Sequence, residues 1–438
     1  MGHDETYVLR TVEERGVRFV RLWFVDVLGL PKSFAVPAGE LEAALDEGIG
    51  LDGSALEGFA RARERDVIAH PDPRSFQVLP WRDEVVARMF CDIRLPDGAA
   101  FPVDSRQALR RALDGAADLG LTLQVGCEVE FFLFAEPAAD DDLGAVPRTL
   151  DRGAYFDLTP QDVGSDFRRR TIDLLERMGI PVKASHHENA PSQHEIHLKH
   201  TDALSMADAL TTFRMAVRQV ARELGVYATF MPKPLDGVPG SGLHAHFSLF
   251  DGDRNVFFAS DAKEPLSEPG RRFLAGVLAH AGEMTAVTNQ WVNSYKRLAT
   301  GMEAPERASW TRHGRSGLVR VPAGRPGKEE AARIELRSPD PACNPYLVFA
   351  LVLAAGLRGI ERGYQLGAED LEDGGPHEAM PLPEDLRIAT ELFDRSELAR
   401  ETLGDRLCDW YVSNKRAEWE AYRTTVTEYE RRRYLALL

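Results

Sequence analysis

The chain has 438 residues, enough for two or three domains, and 44% hydrophobic with 28% charged residues is the composition of a folded globular protein rather than a disordered one. A formal net charge of -16 excludes the basic footprint that duplex nucleic acid requires, so no nucleic-acid partner is expected. The four cysteines, Cys91, Cys127, Cys343 and Cys408, form no CxxC pair, which excludes a zinc knuckle or disulfide framework and suits a reducing compartment.

Taken in order, Met1 to Arg15 is charged and has no apolar secretory core, so a cytoplasmic location is expected. Glu5 to Glu14 has helical spacing closed by Arg15-Gly16. Phe19 to Val27 and Lys32 to Val36 are predicted strands joined as a hairpin by the turn Leu28 to Pro31, and Leu41 to Asp46 is a predicted helix. Gly48 to Ser54 reads as a glycine-punctuated loop, with strands at Phe76 to Trp81 and Val85 to Ile93. The glycines at 48, 50 and 53 satisfy the letters of GxGxxG, but they follow a helix instead of a strand, so a dinucleotide site is not indicated. This small α+β unit ends near Asp97-Gly98.

A larger domain begins at the helix Arg106 to Leu119, capped by Asp104 or Ser105. Further helices are predicted at Phe167 to Met178, Ala203 to Leu224 and Arg271 to Gln290. The most apolar run, Tyr346 to Leu357, stops at Arg358 after about a dozen residues, short of the roughly 20 that span a bilayer, and predicts a buried helix. No membrane partner is expected.

Gly126 to Phe134 alternates polar and apolar residues, so as a strand it projects Glu128 and Glu130 from one face. Three later stretches have the same character: Glu188 to Glu195, the run with His244, His246 and Ser248, and the run with Arg333, Glu335 and Arg337. Four strand-like pieces with polar inner faces, taken as antiparallel with helices outside, are not an ordinary core. Five glutamates and one histidine suit a hard divalent cation, magnesium or manganese, better than zinc. Arginines around Arg297, Arg315 and Arg320 suit phosphate and carboxylate. Cations and arginines without a nucleophilic Ser-His pair point to phosphoryl transfer.

These stretches, with Leu51 to Phe59, Asn293 to Leu298 and Glu428 to Leu435, resemble the bacterial type I form of the glutamine synthetase family over nearly the whole chain. Among its members the chain resembles most the actinobacterial second-type enzymes, some of which join glutamate to polyamines or other amines in place of ammonia. The resemblance implies an α+β fold: a β-grasp-like domain over residues 1–103, and a catalytic domain over residues 104–438 with a curved antiparallel sheet and outer helices. It also implies a homo-oligomer, a dodecamer of two hexameric rings whose sites lie between neighbours.

Carried over position by position, Glu130, Glu188 and Glu195 match the ligands of one metal, and Glu128, His244 and Glu335 those of the other. Arg297 matches the arginine on the substrate carboxylate, and Arg315 and Arg337 those near the transferring phosphoryl group. Arg320, His246 and Ser248 match nucleotide-side positions. Asp52 matches the acid that deprotonates the amine, Glu303 the flap glutamate, and Tyr155 an aromatic beside the ammonium position. Gly240 lies on the glutamate side, where many members read Asn-Gly-Ser-Gly; here Pro239 replaces the asparagine, and Ala55 stands where many have a second serine.

The implied reaction uses ATP to convert the γ-carboxylate of glutamate to an acyl phosphate, which ammonia or a primary amine then attacks. Ordinary ammonia-only glutamine synthesis is the alternative. A non-catalytic scaffold of the same family would typically lose metal ligands or arginines, and here all six ligand positions are retained.

Overall fold

The structure, a computed structural model, describes residues 2–58, 65–81, 85–135, 148–158, 163–259, 266–299, 302–314, 317–324, 327–370 and 379–438. The chain opens with α1 (His3–Glu14), the antiparallel hairpin β1 (Phe19–Val25) and β2 (Pro31–Pro37), then α2 (Leu41–Glu47). Next come β3 (Ile49–Asp52), β4 (Asp66–Pro71), β5 (Gln77–Leu79) and β6 (Val86–Arg94). These strands form one sheet in the order β2-β1-β6-β4-β3, with β5 beside β6, and β1 runs parallel to β6. The expected glycine loop is in part a strand: Ile49 to Asp52 pairs with Asp66 to Ala69, and a turn of 3₁₀ helix follows at Gly53–Leu56.

Asp104 caps α3 (Ser105–Asp118) by accepting from the Arg106 amide, and its other oxygen takes the Ile93 amide, so one buried carboxyl fixes the end of β6 against the new helix. The second half continues with β7 (Leu121–Phe134), α4 (Val163–Arg177), β8 (Val182–His187), β9 (Gln193–Asp202) and α5 (Ala203–Glu223). Then follow β10 (Tyr227–Thr229), β11 (Leu243–Asp251), β12 (Arg254–Asn255), α6 (Glu268–Ala279), α7 (Ala281–Thr288) and α8 (Ser294–Leu298). After β13 (Arg307–Thr311), β14 (Gly317–Arg320) and β15 (Ile334–Leu336) the chain is helical: α9 (Pro345–Glu361), α10 (Leu386–Asp394), α11 (Glu397–Leu403), α12 (Asp405–Thr424) and α13 (Glu428–Tyr434).

The second sheet has the order β13-β14-β15-β11-β7-β9-β8 and is antiparallel except where β13 meets β14. One face carries the alternating apolar residues Val125, Cys127, Val129 and Phe131, all buried against helices, so the polar partners of that alternation must share the opposite face. The apolar run at 346–357 is the helix α9, buried nearly all round because α3, α5, α6 and α11 pack on it. Helices α6 and α9 meet at glycines: a Cβ on Gly276 would lie 2.1 Å from the Ala355 carbonyl oxygen, and one on Gly359 2.2 Å from that of Arg272. The single helix expected over 271–290 is therefore two, broken at His280, which lets α7 turn away from this crossing. Among the described residues no helix is long and apolar enough to cross a membrane.

Buried polar side chains lock the first sheet to the second half. Asn344 donates to the Val27 carbonyl (3.1 Å), Gln290 to that of Leu28 (3.0 Å) and Asn414 to that of Glu57 (2.9 Å). Arg106 bridges Asp72 and Asp208 at 2.9 Å each.

Candidate active site

Strand register builds the site. Glu128 of β7 lies opposite His244 of β11 on one side and His197 of β9 on the other, while Glu130 lies opposite Glu195, which faces His186 of β8. His246 pairs with Glu335 of β15, and Glu335 with Arg320 of β14. Directly opposed residues point to the same face, so three rows of titratable side chains run across the sheet. All of them but His246 line a cavity of about 450 Å³ together with Gly240, Arg297, Glu303 and Arg337.

Glu188 is not on a strand. It begins the turn between β8 and β9, where Ser192 has φ 64° and Gln193 closes the turn: its carbonyl accepts from the Glu188 amide at 2.8 Å and its own amide donates to the Ala190 carbonyl at 3.0 Å. Gln193 was not expected in the site, yet its side-chain amide donates to Glu130 (3.0 Å) and to the Gly240 carbonyl (3.1 Å). Glu130 also accepts the Gly242 amide at 2.8 Å. Gly240 and Gly242 let the chain pass against Arg297, since a Cβ at Gly242 would lie 2.7 Å from its guanidinium. Arg297 is buried and donates to the carbonyls of Ser338 (2.7 Å) and Arg337 (3.0 Å).

Three described residues other than glycine have positive φ, namely Phe156, Ser192 and Glu303, and all belong to this region. Such backbone persists where surrounding contacts hold it and concentrates at functional sites. Glu303 is held by Asn189, whose side-chain amide donates to it at 2.6 Å. Tyr155 and Phe156 are exposed and line the cavity, and their rings pack against His186, the first edge-on and the second tilted.

The carboxylates repel one another. Burial and then the neighbouring Glu188 and Glu195 raise the Glu130 carboxyl well above its usual range. Glu188 is pushed up to about 8 by burial and then by Glu195. On the opposite side of the cavity, burial of Glu128 is outweighed by the neighbouring imidazoles of His244 and His246, 3.7 and 3.0 Å away, which hold it well below the usual carboxylate range. Glu335 is likewise lowered: the nearby charges of His246, His244, Arg320 and Arg337 overcome its burial.

Among the groups whose ligand atoms lie within 4.8 Å of one another are Glu128, His244 and Glu335, and Glu130, Glu195 and His244. This donor set, mainly carboxylate oxygen, fits a hard divalent cation, and the raised Glu130 and Glu188 are carboxyls for which a cation would substitute for a proton. Arg337 adds an orphaned donor: it is buried, and its Nε has no hydrogen-bond partner among the described residues.

A sign follows for pH. Because the folded state raises Glu188 from 4.5 to about 8, the metal-free protein binds more protons than its unfolded chain and loses stability as pH climbs through that window. Magnesium must displace those protons, so the magnesium-induced rise in thermal midpoint should be larger at about pH 8.5 than at about pH 6.5. Thermal-shift titrations at both values check this; an equal or smaller rise at the higher pH would remove Glu188 from the cation site.

His246, Ser248 and Asp52 are not on this wall. His246 and Ser248 line an adjoining cavity with Lys183, Lys328 and Arg333, and Ser248 donates to the Ala332 carbonyl at 2.9 Å. Arg315 lies outside the described residues. Asp52 is at the end of β3 in the first sheet and does not line the cavity of its own chain. Sequence reading passed over His186 and His197, although the histidine spacing around Glu188 and Glu195 was visible.

The family model for the glutamine synthetase catalytic domain matches residues 102–434, and that for its β-grasp domain matches residues 16–96, as the fold expectation required. The glutamine synthetase of Mycolicibacterium smegmatis is 53% identical across 100% of both chains. That of Halobacterium salinarum is 46% identical, covering 99% of this chain and 96% of its own. A solved GmaS/ADP complex superposes with a TM-score of 0.88 at 34% identity, covering 98% of this chain and 99% of its own. With matches across both halves and relatives aligned end to end, the chain belongs to the glutamine synthetase family and is an ATP-dependent ligase.

Proposed function

We propose that this ligase joins the γ-carboxylate of glutamate to a primary amine or polyamine, with ammonia as the smaller substrate, through a γ-glutamyl phosphate. A carboxylate resists amine attack because oxide is a poor leaving group, and transfer of the ATP γ-phosphoryl group replaces it with phosphate. Magnesium or manganese at Glu130, Glu188 and Glu195 and at Glu128, His244 and Glu335 would neutralise the reacting carboxylate and the phosphates. Arg297 is assigned to the glutamate carboxylate beside Gly240, and Arg337 with Arg315 to the transferring phosphoryl group. Arg320, His246 and Ser248 are assigned to the nucleotide.

The amine enters protonated and must lose a proton before it attacks, which is the role proposed for Asp52. Glu303 would close over the intermediate and exclude water. The observation that carries the phosphoryl-transfer reading is the buried, unfilled donor of Arg337 facing a wall of carboxylates whose protons a cation would replace. The division into residues 1–103 and 104–438, a dodecamer of two hexameric rings and a cytoplasmic location complete the proposal. Exposed apolar residues along the last helix and beyond it, Tyr429, Leu435, Leu437 and Leu438, suit burial in such an assembly.

A substituted amine is favoured by the open mouth. Tyr155 and Phe156 are 42% and 61% exposed, and their adjoining rings offer an apolar and cation-attracting rest for an amine's tail. Ala55 also leaves room where many family members carry a hydroxyl. The likeness to the GmaS structures is consistent with this branch, whereas the relatives at 53% identity are named glutamine synthetases and support the ammonia-only reading. Phosphate release with glutamate, ATP and magnesium across ammonia, methylamine, ethanolamine, putrescine and spermidine separates them. At least one amine should exceed ammonia in kcat/KM by several-fold, on the order of the gain from one filled apolar contact. Turnover with ammonia alone returns the protein to plain glutamine synthesis.

A further inference from the structure

His186 and His197 take no part in the assignments above, yet they flank Glu195. The Nδ1 of His186 lies 3.2 Å from the His187 carbonyl oxygen, which only accepts. The same Nδ1 also lies 3.5 Å from Glu188 Oε1, and the ring's Nε2 is 2.8 Å from Glu195 Oε2, a distance at which ring and carboxylate share one proton or one cation. His197 Nε2 approaches the same oxygen at 3.2 Å at an angle that makes no hydrogen bond, and it is buried without a partner among the described residues. Two ring nitrogens and a carboxylate oxygen thus converge within 4.8 Å of one another. A metal cation among them would take the place of the protons that otherwise hold rings and carboxylate together.

A second compact group, Asp151, His187 and His194, shows the contrast. Both nitrogens of His187 are taken, Nδ1 by the Glu188 carbonyl (2.7 Å) and Nε2 by Asp151 (3.0 Å), so that group is a hydrogen-bonded brace beneath the turn carrying Glu188. His186 has instead the arrangement of a metal-bound imidazole, one nitrogen against a backbone carbonyl and the other directed at Glu195 in the cavity.

We propose that His186, Glu195 and His197 form a third cation site that prefers a borderline transition metal such as zinc over magnesium, because two of its three donors are imidazole nitrogens. Glu195 is shared with the oxygen-rich cation position, so zinc at its Oε2 draws electron density from that position and raises the magnesium concentration the ligase needs. The site is independent of which amine is used, and its test reads metal binding rather than turnover.

The full-length protein, stripped of metal and resupplied with saturating magnesium, is titrated with cobalt(II), whose visible absorption reports nitrogen ligation. A single further equivalent per chain should bind and be displaced by zinc. His186→Asn and His197→Asn should each weaken it by about 10- to 100-fold, while Glu130→Gln leaves it in place. Circular dichroism and assembly size confirm folding of each variant, and His197→Gln replaces His197→Asn where that variant misfolds. Magnesium-saturated protein that retains no cobalt overturns the proposal. So does cobalt binding that survives both histidine substitutions, or that disappears in Glu130→Gln.

Discussion

Glu130→Ala should lose phosphoryl transfer by roughly a thousandfold or more while the chain still folds. Glu130 is buried, shares its cavity wall with Glu188 and Glu195, and is the carboxyl they raise well above its usual range. Removing it withdraws a ligand from the proposed cation position and also relieves repulsion in the metal-free protein. Against that relief, the Gly242 amide and the Gln193 side chain lose the oxygen they donate to, which costs about 1–3 kcal/mol for each buried donor left unsatisfied. These effects oppose each other, so the thermal midpoint without magnesium should move little, whereas its rise on adding magnesium should largely disappear. Glu130→Gln, which keeps an acceptor oxygen and drops the charge, separates the two roles: it should restore the brace without restoring activity. Phosphate release under saturating glutamate, ATP and magnesium reads the first effect and thermal melts the second. Turnover near the wild-type rate in either variant would remove Glu130 from the cation site.

The sequence was most legible where one period ran long enough to decide a face. Glu128 and Glu130 alternate with Val129 and Phe131 in β7, and the same period in β11 places His244 and His246, so both the strands and their polar side could be read before any fold was known. What periodicity does not contain is register. That Glu130 sits opposite Glu195, and Glu195 opposite His186, depends on which strands pair and where β9 carries its irregularity, near Val125 and Cys127 of its partner. His186 and His197 were missed for that reason. Glu188 was read as part of a strand because the run from 188 to 195 is polar throughout, whereas the positive φ of Ser192 turns the chain back between two strands. The strand β3 was hidden by glycines that ordinarily mark loops; here pairing to β4 supplies the order that side chains do not.

An equimolar mixture of Asp52→Ala and Glu335→Ala chains, dissociated and reassembled, should recover activity that neither variant has alone. Asp52 is fixed at the end of β3, where its carboxylate accepts the Ser54 amide (3.0 Å), the Ser54 hydroxyl (2.6 Å) and the Arg65 amide (3.1 Å). That position belongs to the first sheet, and Asp52 does not line the cavity that Glu335 lines in the same chain. If Asp52 deprotonates the amine, it therefore does so in a neighbour's cavity, with the first sheet of one chain set against the second sheet of the next. A ring of such head-to-tail contacts splits every site between two chains. Loss of the base should lower turnover by about 10²–10⁴-fold, and loss of Glu335 takes a ligand from the proposed nucleotide-side cation. With random mixing each half of a site is wild type half the time, so about a quarter of sites have both halves intact and the mixture should reach about a quarter of wild-type turnover. Native mass spectrometry on differently tagged chains verifies that mixed rings formed. Recovery at that level places Asp52 and Glu335 in different chains of one site; no recovery in verified mixed rings places them in the same chain's site and removes Asp52 as the base for a neighbour.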